Sequence, residues 1–324
     1  MQNAAFRQEV LQHLTALRAR WPDGNLHLLY VPGTEDPLQL LAGHARVQAI
    51  ARDLLQVDAD EAFLPHVITL DCRKVAAYLL ETDPALDDPL LEASIALAAE
   101  GIIGNDGRAH AVCGWLASPD DASTIARRLG QAAHRFDSGA RRTVRVRWHD
   151  PRVLSHLWPE LPALQRTALL GARLAWVAVG AMSRVTVFDA DASKIVATAR
   201  MATPSDTTQW TRLRHVGMVN RLLELWRERL HEAGQTLPED AIDVLHRHAA
   251  QASAQGLDGR DAQTYVLLAV ELKAGFEQDP HWRDAIHAAT DAPGTLEDHA
   301  NALPATFWER YAAARVWTGV AIKA

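Results

Sequence analysis

The hydrophobic period of the chain changes once, close to Pro204, and no other feature constrains the fold as much. Ahead of that point, short β-like runs alternate with stretches of helical spacing. The β-like runs are residues 26–31, stopped by Pro32-Gly33, then 66–70, 111–116, 143–148 and 174–179. Residues 184–188 and 194–200 follow as a predicted hairpin around the turn at 189–193, where Asp and Ser side chains favour reversal. Helical spacing fills the intervals at 1–21, 37–55, 73–80, 89–99, 122–136 and 162–170. Within 1–21, Phe6, Val10, Leu14 and Leu17 share one face and Arg7, Arg18 and Arg20 lie elsewhere. Strands alternating with helices predict an α/β (α+β) lobe over residues 1–203, with a mixed sheet and flanking helices.

Past Pro204 only the helical period is left, so residues 204–324 read as an all-α lobe. Asp206 with Gln209 resembles a capping box, and Trp210, Leu213, Gly217, Asn220, Leu223 and Trp226 then recur at helical spacing up to Gly234. Thr236 with Glu239 opens a second helix that Gly256 ends. Asp258 precedes a third, with Ala262, Tyr265, Val266, Ala269, Leu272 and Phe276 inward. Shorter helices are expected over 280–289, 295–302 and 304–316.

Charge narrows the function classes. The 324 residues carry a net charge of −7, the wrong sign for a general nucleic-acid binder. The charge is uneven, however. From Arg141 to Arg173 there are seven arginines against only Asp150 and Glu160, whereas Asp53 to Asp106 holds twelve acids against Arg73 and Lys74. A basic face on an acidic protein suits a protein partner. Cys72 and Cys113 show no metal-type or disulfide-framework spacing, which fits a reducing compartment. The amphipathic start lacks the apolar centre of a signal peptide, and no run of 18 apolar residues occurs, so a cytoplasmic protein without membrane insertion is expected.

Catalytic and cofactor motifs fail one after another. His246 and His248 lie two apart on a predicted helix and therefore point about 200° away from each other, which prevents joint metal ligation. There is no HExxH, no P-loop, no G-x-S-x-G elbow and no dinucleotide fingerprint, so neither a metal nor a cofactor is expected. The most individual stretch is Val146-Arg-Trp-His-Asp-Pro-Arg152. One reading makes His149 and Asp150 an acid–base pair of a small hydrolase or other enzyme, with Arg147 or Arg152 gripping an anion. The other has Asp150 capping a helix that begins at Pro151, a lost cap being worth ~1 kcal/mol. In that reading Val144, Val146 and Trp148 face the core while Arg145 and Arg147 face outward. Arg145, Arg147, Arg152 and Trp158 are then the candidate partner-binding residues. Trp308 and Trp317 also lie in settings that suit contact with a partner.

The run 143–154, Thr-Val-Arg-Val-Arg-Trp-His-Asp-Pro-Arg-Val-Leu, resembles the R-F-Y-D-P-R-V-L-like core of the type VI secretion effector chaperones, or adaptors, catalogued as a domain of unknown function, DUF4123. Asp36-Pro-Leu38 after a strand, Cys113-Gly-Trp115 ending one, and Leu164-Gln165 ahead of Gly171 are similar to further elements of that family. In the tail, Ala252 with Gly256, Gly275-Phe276 with Trp282, and Leu303-Pro304 with Trp308 resemble its C-terminal pattern. The chain departs from the family around 31–34 and by having His149 where an aromatic is usual. The resemblance implies a non-catalytic cytoplasmic chaperone that binds a toxic effector protein and helps load it onto the spike protein of the secretion machine.

Overall fold

In chain order the first part of the molecule runs α1 (Gln2–Arg20), β1 (Asn25–Tyr30), β2 (Tyr78–Thr82), α2 (Pro89–Gly104), β3 (Val112–Ser118), α3 (Ala122–Ala133), β4 (His134–Asp137), β5 (Arg142–Arg145), α4 (Pro151–Leu157), α5 (Ala163–Leu170), β6 (Ala175–Val179) and β7 (Val185–Asp189). The computed structural model describes residues 2–30, 78–82, 88–104, 112–137, 141–190 and 207–312. The chain divides into two units, Met1–Trp210 and Thr211–Ala324. The first unit is built on a five-stranded sheet of order β2-β1-β3-β6-β7, and the second is all-helical over its described residues.

Every ladder among the described residues is antiparallel, where a mixed sheet was expected. The reason lies in the strand order. Both β2 and β3 pair with β1 in the antiparallel sense, so they run the same way with β1 between them. The α2 crossover that joins β2 to β3 is therefore present without any parallel neighbours. Alternation of strands and helices predicts such a crossover but cannot say whether the strands it joins are adjacent.

The sheet is covered on both faces, which explains why β1 and β3 are buried almost throughout rather than at alternate residues. On one face, Val10, Leu14 and Leu17 of α1 and Leu91, Ile95 and Ala98 of α2 pack on Leu26 and Leu28, Trp115 and Ala117, and Ala175 and Val177. The amphipathic stripe expected in α1 is the one that is buried. On the opposite face Trp176 and Phe188 meet edge to face, with ring centroids 6.1 Å apart, and Trp158 adds a second edge-to-face contact with Phe188 at 5.4 Å.

A bulge interrupts the central strand. Leu29 pairs with Gly114 and Tyr30 with Val112, so Cys113 is extra. Gly114 holds φ +125, and a Cβ there would overlap the Val177 carbonyl oxygen and the Trp176 indole. The Cys113 carbonyl accepts a hydrogen bond from the Trp176 indole nitrogen at 3.0 Å. Only glycine permits both the backbone conformation and the close approach of Trp176.

Several boundaries differ from the sequence-based expectation. Helical spacing over 73–80 gives way to strand β2 from Tyr78. The helix expected over 122–136 stops at Ala133, because residues 134–137 form β4 and pair with β5. Residues 146–148 leave that ribbon instead of extending it, and β4 and β5 stand apart from the main sheet. The hairpin seen is β6–β7, joined through Gly180–Arg184. Residues 66–70, 37–55 and 194–200 lie outside the described residues, as do Cys72 and Trp317.

Helix α6 (Thr207–Glu232) starts in the first unit and runs into the second, which continues through α7 (Ala241–Ala254), α8 (Gly259–Glu271), α9 (Pro280–Asp291), α10 (Leu296–Asn301) and α11 (Ala305–Tyr311). Val216, Val219, Leu223 and Trp226 form the buried stripe of α6, whereas Gly217, expected inward, is exposed with open space around it. The capping box expected of Asp206 and Gln209 falls partly outside the described residues; within the first unit the Gln209 side-chain amide donates to the Glu160 carbonyl at 2.9 Å. Gly234 and Gly256 end α6 and α7 with positive φ, as expected of C-terminal glycines. The core of this unit is a file of aromatic rings around Trp282, whose centroid lies 5.9 Å from Tyr265, 5.3 Å from Phe276 and 6.1 Å from Phe307. No helix among the described residues is long and apolar enough to cross a membrane.

The bulge generates a direct expectation. Gly114→Ala should destabilise the first unit by about 2 kcal/mol or more, from strain at positive φ combined with displacement of Trp176. Urea unfolding followed by tryptophan fluorescence measures it, and a change under ~0.5 kcal/mol would show that the bulge tolerates a side chain.

Candidate functional site

The stretch from Val146 to Arg152 turns the chain sharply from the β4–β5 ribbon into α4. Its first anchor is at the end of α3: the Val146 amide donates to the Ala133 carbonyl at 2.7 Å, and the Trp148 indole nitrogen donates to the Ala132 carbonyl at 2.7 Å. Val146 and Trp148 are buried, while the Arg147 side chain between them is 56% exposed. The alternation inferred from sequence therefore holds for these three residues even though they are no longer in a strand.

Asp150 is the second anchor. Its Oδ1 accepts from the Arg152 amide at 3.0 Å, and Pro151 occupies the first helical position, as the capping reading requires. The carboxylate does more than cap. Arg152 also donates from Nε to Oδ1 at 3.1 Å and from Nη2 to Oδ2 at 3.0 Å, a two-pronged grip, and Arg147 approaches Oδ2 at 3.8 Å. Burial alone would push the Asp150 carboxyl up, but the Arg152 charge and hydrogen bonds, with Arg147 behind them, hold it below the usual carboxylate range. Burial, with the Asp150 charge second, pushes the neighbouring Cys113 thiol up, so it stays protonated and is a poor nucleophile.

The candidate residues thus fall into different settings. Arg147 reaches solvent. The Arg152 guanidinium is directed onto Asp150 in the same chain. Arg145 ends β5, opposite His134. His149 is buried beside Asp150, but the Asp150 carboxylate bonds to the two arginines and not to the imidazole. Trp158 opens a 3-10 turn, Trp158–Glu160, and is half-buried against Phe188. In the second unit, His246 is buried and His248 pairs with Gln251 at 2.7 Å; among the described residues no group of His, Cys, Asp or Glu is arranged to hold a metal ion. Trp308 packs edge to face on Phe307 at 5.3 Å.

Sequence reasoning missed one residue beside Trp158. Arg166 of α5 lies over the Trp158 ring, its guanidinium carbon 5.1 Å from the centroid. Leu164, two residues before Arg166 and therefore on the opposite side of α5, is 51% exposed, the most exposed large apolar side chain among the described residues. An eight-residue separation between Trp158 and Arg166 across two prolines carries no periodic signal, so the pairing was not legible.

Comparison with known proteins gives one match. A family described as "Domain of unknown function (DUF4123)" matches residues 40–168, a span under half of the chain that contains the 146–152 turn and most of α5. No curated protein and no solved structure matches.

Replacing Asp150 separates its two roles. Asp150→Ala removes the cap together with the two-pronged contact to Arg152, and should cost more than the ~1 kcal/mol of a lost cap alone. Asp150→Asn keeps an acceptor for the Arg152 amide and should cost less. Because the folded-state value is depressed, the charge contribution is present above the ordinary carboxylate range and disappears as pH falls through the folded value, below about pH 4. Urea midpoints measured against pH should fall more steeply for wild type than for Asp150→Asn, and parallel curves would show that the ion pair adds nothing.

Proposed function

We propose that the chain is a cytoplasmic type VI secretion adaptor: it binds a toxic effector protein in the producing cell, presents it to the spike protein, and catalyses no reaction. The observation that carries this reading is the DUF4123 match over residues 40–168, which includes the same Arg-Trp-His-Asp-Pro-Arg-Val-Leu run that resembles the effector chaperones. Two physical features support it. Asp150, the residue an enzyme would need to orient His149, has both carboxylate oxygens on Arg152 and Arg147. Asp150 and Trp148 instead fix the entry to α4, which is the work of a scaffold. Durable capture of a client calls for a buried interface of at least ~1,000 Å², with aromatic and arginine anchors at its centre.

A pull-down with the tagged full chain from its native cell, followed by co-expression with each candidate client, tests the proposal. The expected result is recovery of a toxin-like protein together with a spike component, and higher soluble yield of the client when the chain is co-expressed. Recovery of neither, with substrate turnover that vanishes in His149→Ala and Asp150→Asn, would replace the adaptor with an enzyme.

A further inference from the structure

Positive charge is concentrated on the β4–β5 ribbon. Residues 134–147 hold five arginines, Arg135, Arg141, Arg142, Arg145 and Arg147, against one acid, Asp137. The ladder sets Arg142 opposite Asp137 and Arg145 opposite His134. At the turn into β5, Arg141 and Arg142 are both exposed, and Arg141 holds φ +51, a left-handed backbone that glycine adopts far more easily. Where the ribbon ends, Arg147 is 56% exposed between buried Val146 and Trp148, which are fastened to the end of α3. Its backbone is therefore already ordered, so a partner that binds it has less conformational freedom to remove. Asp150 does not cancel this charge. It faces two guanidiniums at once, Arg152 at 3.0 Å and Arg147 at 3.8 Å, so the group of three keeps a net positive charge.

We propose that this ribbon is the docking surface for an acidic segment of a partner protein, whose Asp or Glu carboxylates meet Arg141, Arg142 and Arg147. Alternation along an extended chain puts Arg142 and Arg147 on different faces, so the surface is the whole ribbon and not one side of it. Residues 141–147 span about 20 Å when extended, with each arginine within about 10 Å of the next, close to one Debye length, so their fields add. Charge selects the occupant. The chain as a whole carries −7, so the residues outside the ribbon are more negative than that total. A nucleic acid, charged along its entire length, would have to lie across those acids as well, whereas a short acidic protein segment meets the ribbon alone. The inference rests on the adaptor reading for the identity of the partner, not for the chemistry of the ribbon.

The test uses the full chain. A fluorescein-labelled peptide of alternating Glu and Ser, and a counterpart with Gln for Glu, are titrated by anisotropy against wild type and three variants. The first combines Arg141→Gly, Arg142→Gln and Arg147→Gln. The second carries Arg141→Gly and Arg142→Gln alone, so that the Asp150 contacts stay intact and the test survives if the triple variant does not fold. Glycine suits the backbone at 141, so its charge is removed without loosening the turn. The third, Arg221→Gln, removes an exposed arginine of the second unit and is the control. Thermal unfolding identifies the folded variants. The Glu peptide should bind wild type and Arg221→Gln equally, and bind the triple variant about tenfold and the double variant about threefold more weakly. It should also bind wild type better than the Gln peptide does, and weaken with added salt. Equal binding by wild type and the folded ribbon variants, or no binding to wild type, overturns the proposal. A single-stranded oligonucleotide held by the same arginines more tightly than the peptide also overturns it, reassigning the ribbon to nucleic acid. So does self-association of wild type, seen by sedimentation, that the ribbon variants abolish, which would make a second copy the occupant. Client capture is scored alongside. A client retained by the ribbon variants overturns the docking surface and leaves the adaptor standing. Ribbon-dependent peptide binding without any client recovered does the reverse.

Discussion

The first unit depends on the approach of Trp176 to the backbone of β3 at Cys113-Gly114. A sheet buried on both faces has little tolerance for irregular backbone, since each displaced carbonyl or amide must find another partner. At the bulge the Cys113 carbonyl leaves the ladder with β1 and takes the Trp176 indole proton instead. That bond places the Trp176 ring over the sheet, and the ring in turn positions Phe188 and, through it, Trp158. One extra residue in the central strand therefore propagates to the surface where α4 meets α5.

A second constraint works from the opposite direction. The ribbon of β4 and β5 is fastened to the end of α3 through Val146 and Trp148, and Asp150 then starts α4 within two residues. On its far side α4 meets Gly180, where a Cβ would collide with the Ser155 hydroxyl, which itself bonds to the Pro151 carbonyl and accepts from the Ala181 amide. The helix is thus clamped at its start by a charge and along its side by the β6–β7 turn. Little of the turn is therefore free to move.

The polar groups of the turn also separate two uses of arginine. Arg152 is directed inward and its charge is answered by Asp150. Arg166 is stacked on an indole and its charge is not answered by any described carboxylate. The two lie on successive helices of one basic stretch and are indistinguishable by composition. Burial and partners separate them: the bidentate grip of Arg152 on Asp150 stabilises the start of α4, whereas Arg166 rests on the Trp158 ring and the Pro159 carbonyl.

The sequence by itself determined the division into a strand-bearing part and a helical part, because the change from mixed periods to a period of 3.6 is a local property that needs no tertiary context. It determined the buried stripe of α1, the cap at Asp150 with Pro151 behind it, and the alternation of Val146, Arg147 and Trp148, all of which follow from spacing and side-chain chemistry within a few residues. Only the tertiary structure decided that β2 and β3 flank β1, that β4 and β5 leave the main sheet, and that residues 78–80 are strand despite helical spacing, since pairing with a distant strand outweighs a short run's own preference. It also decided that Gly217 faces outward, that Gln209 reaches Glu160, and that Arg166 rests on Trp158. Those outcomes depend on contacts between residues far apart or out of period, and neither spacing nor composition encodes where a packed helix will place them.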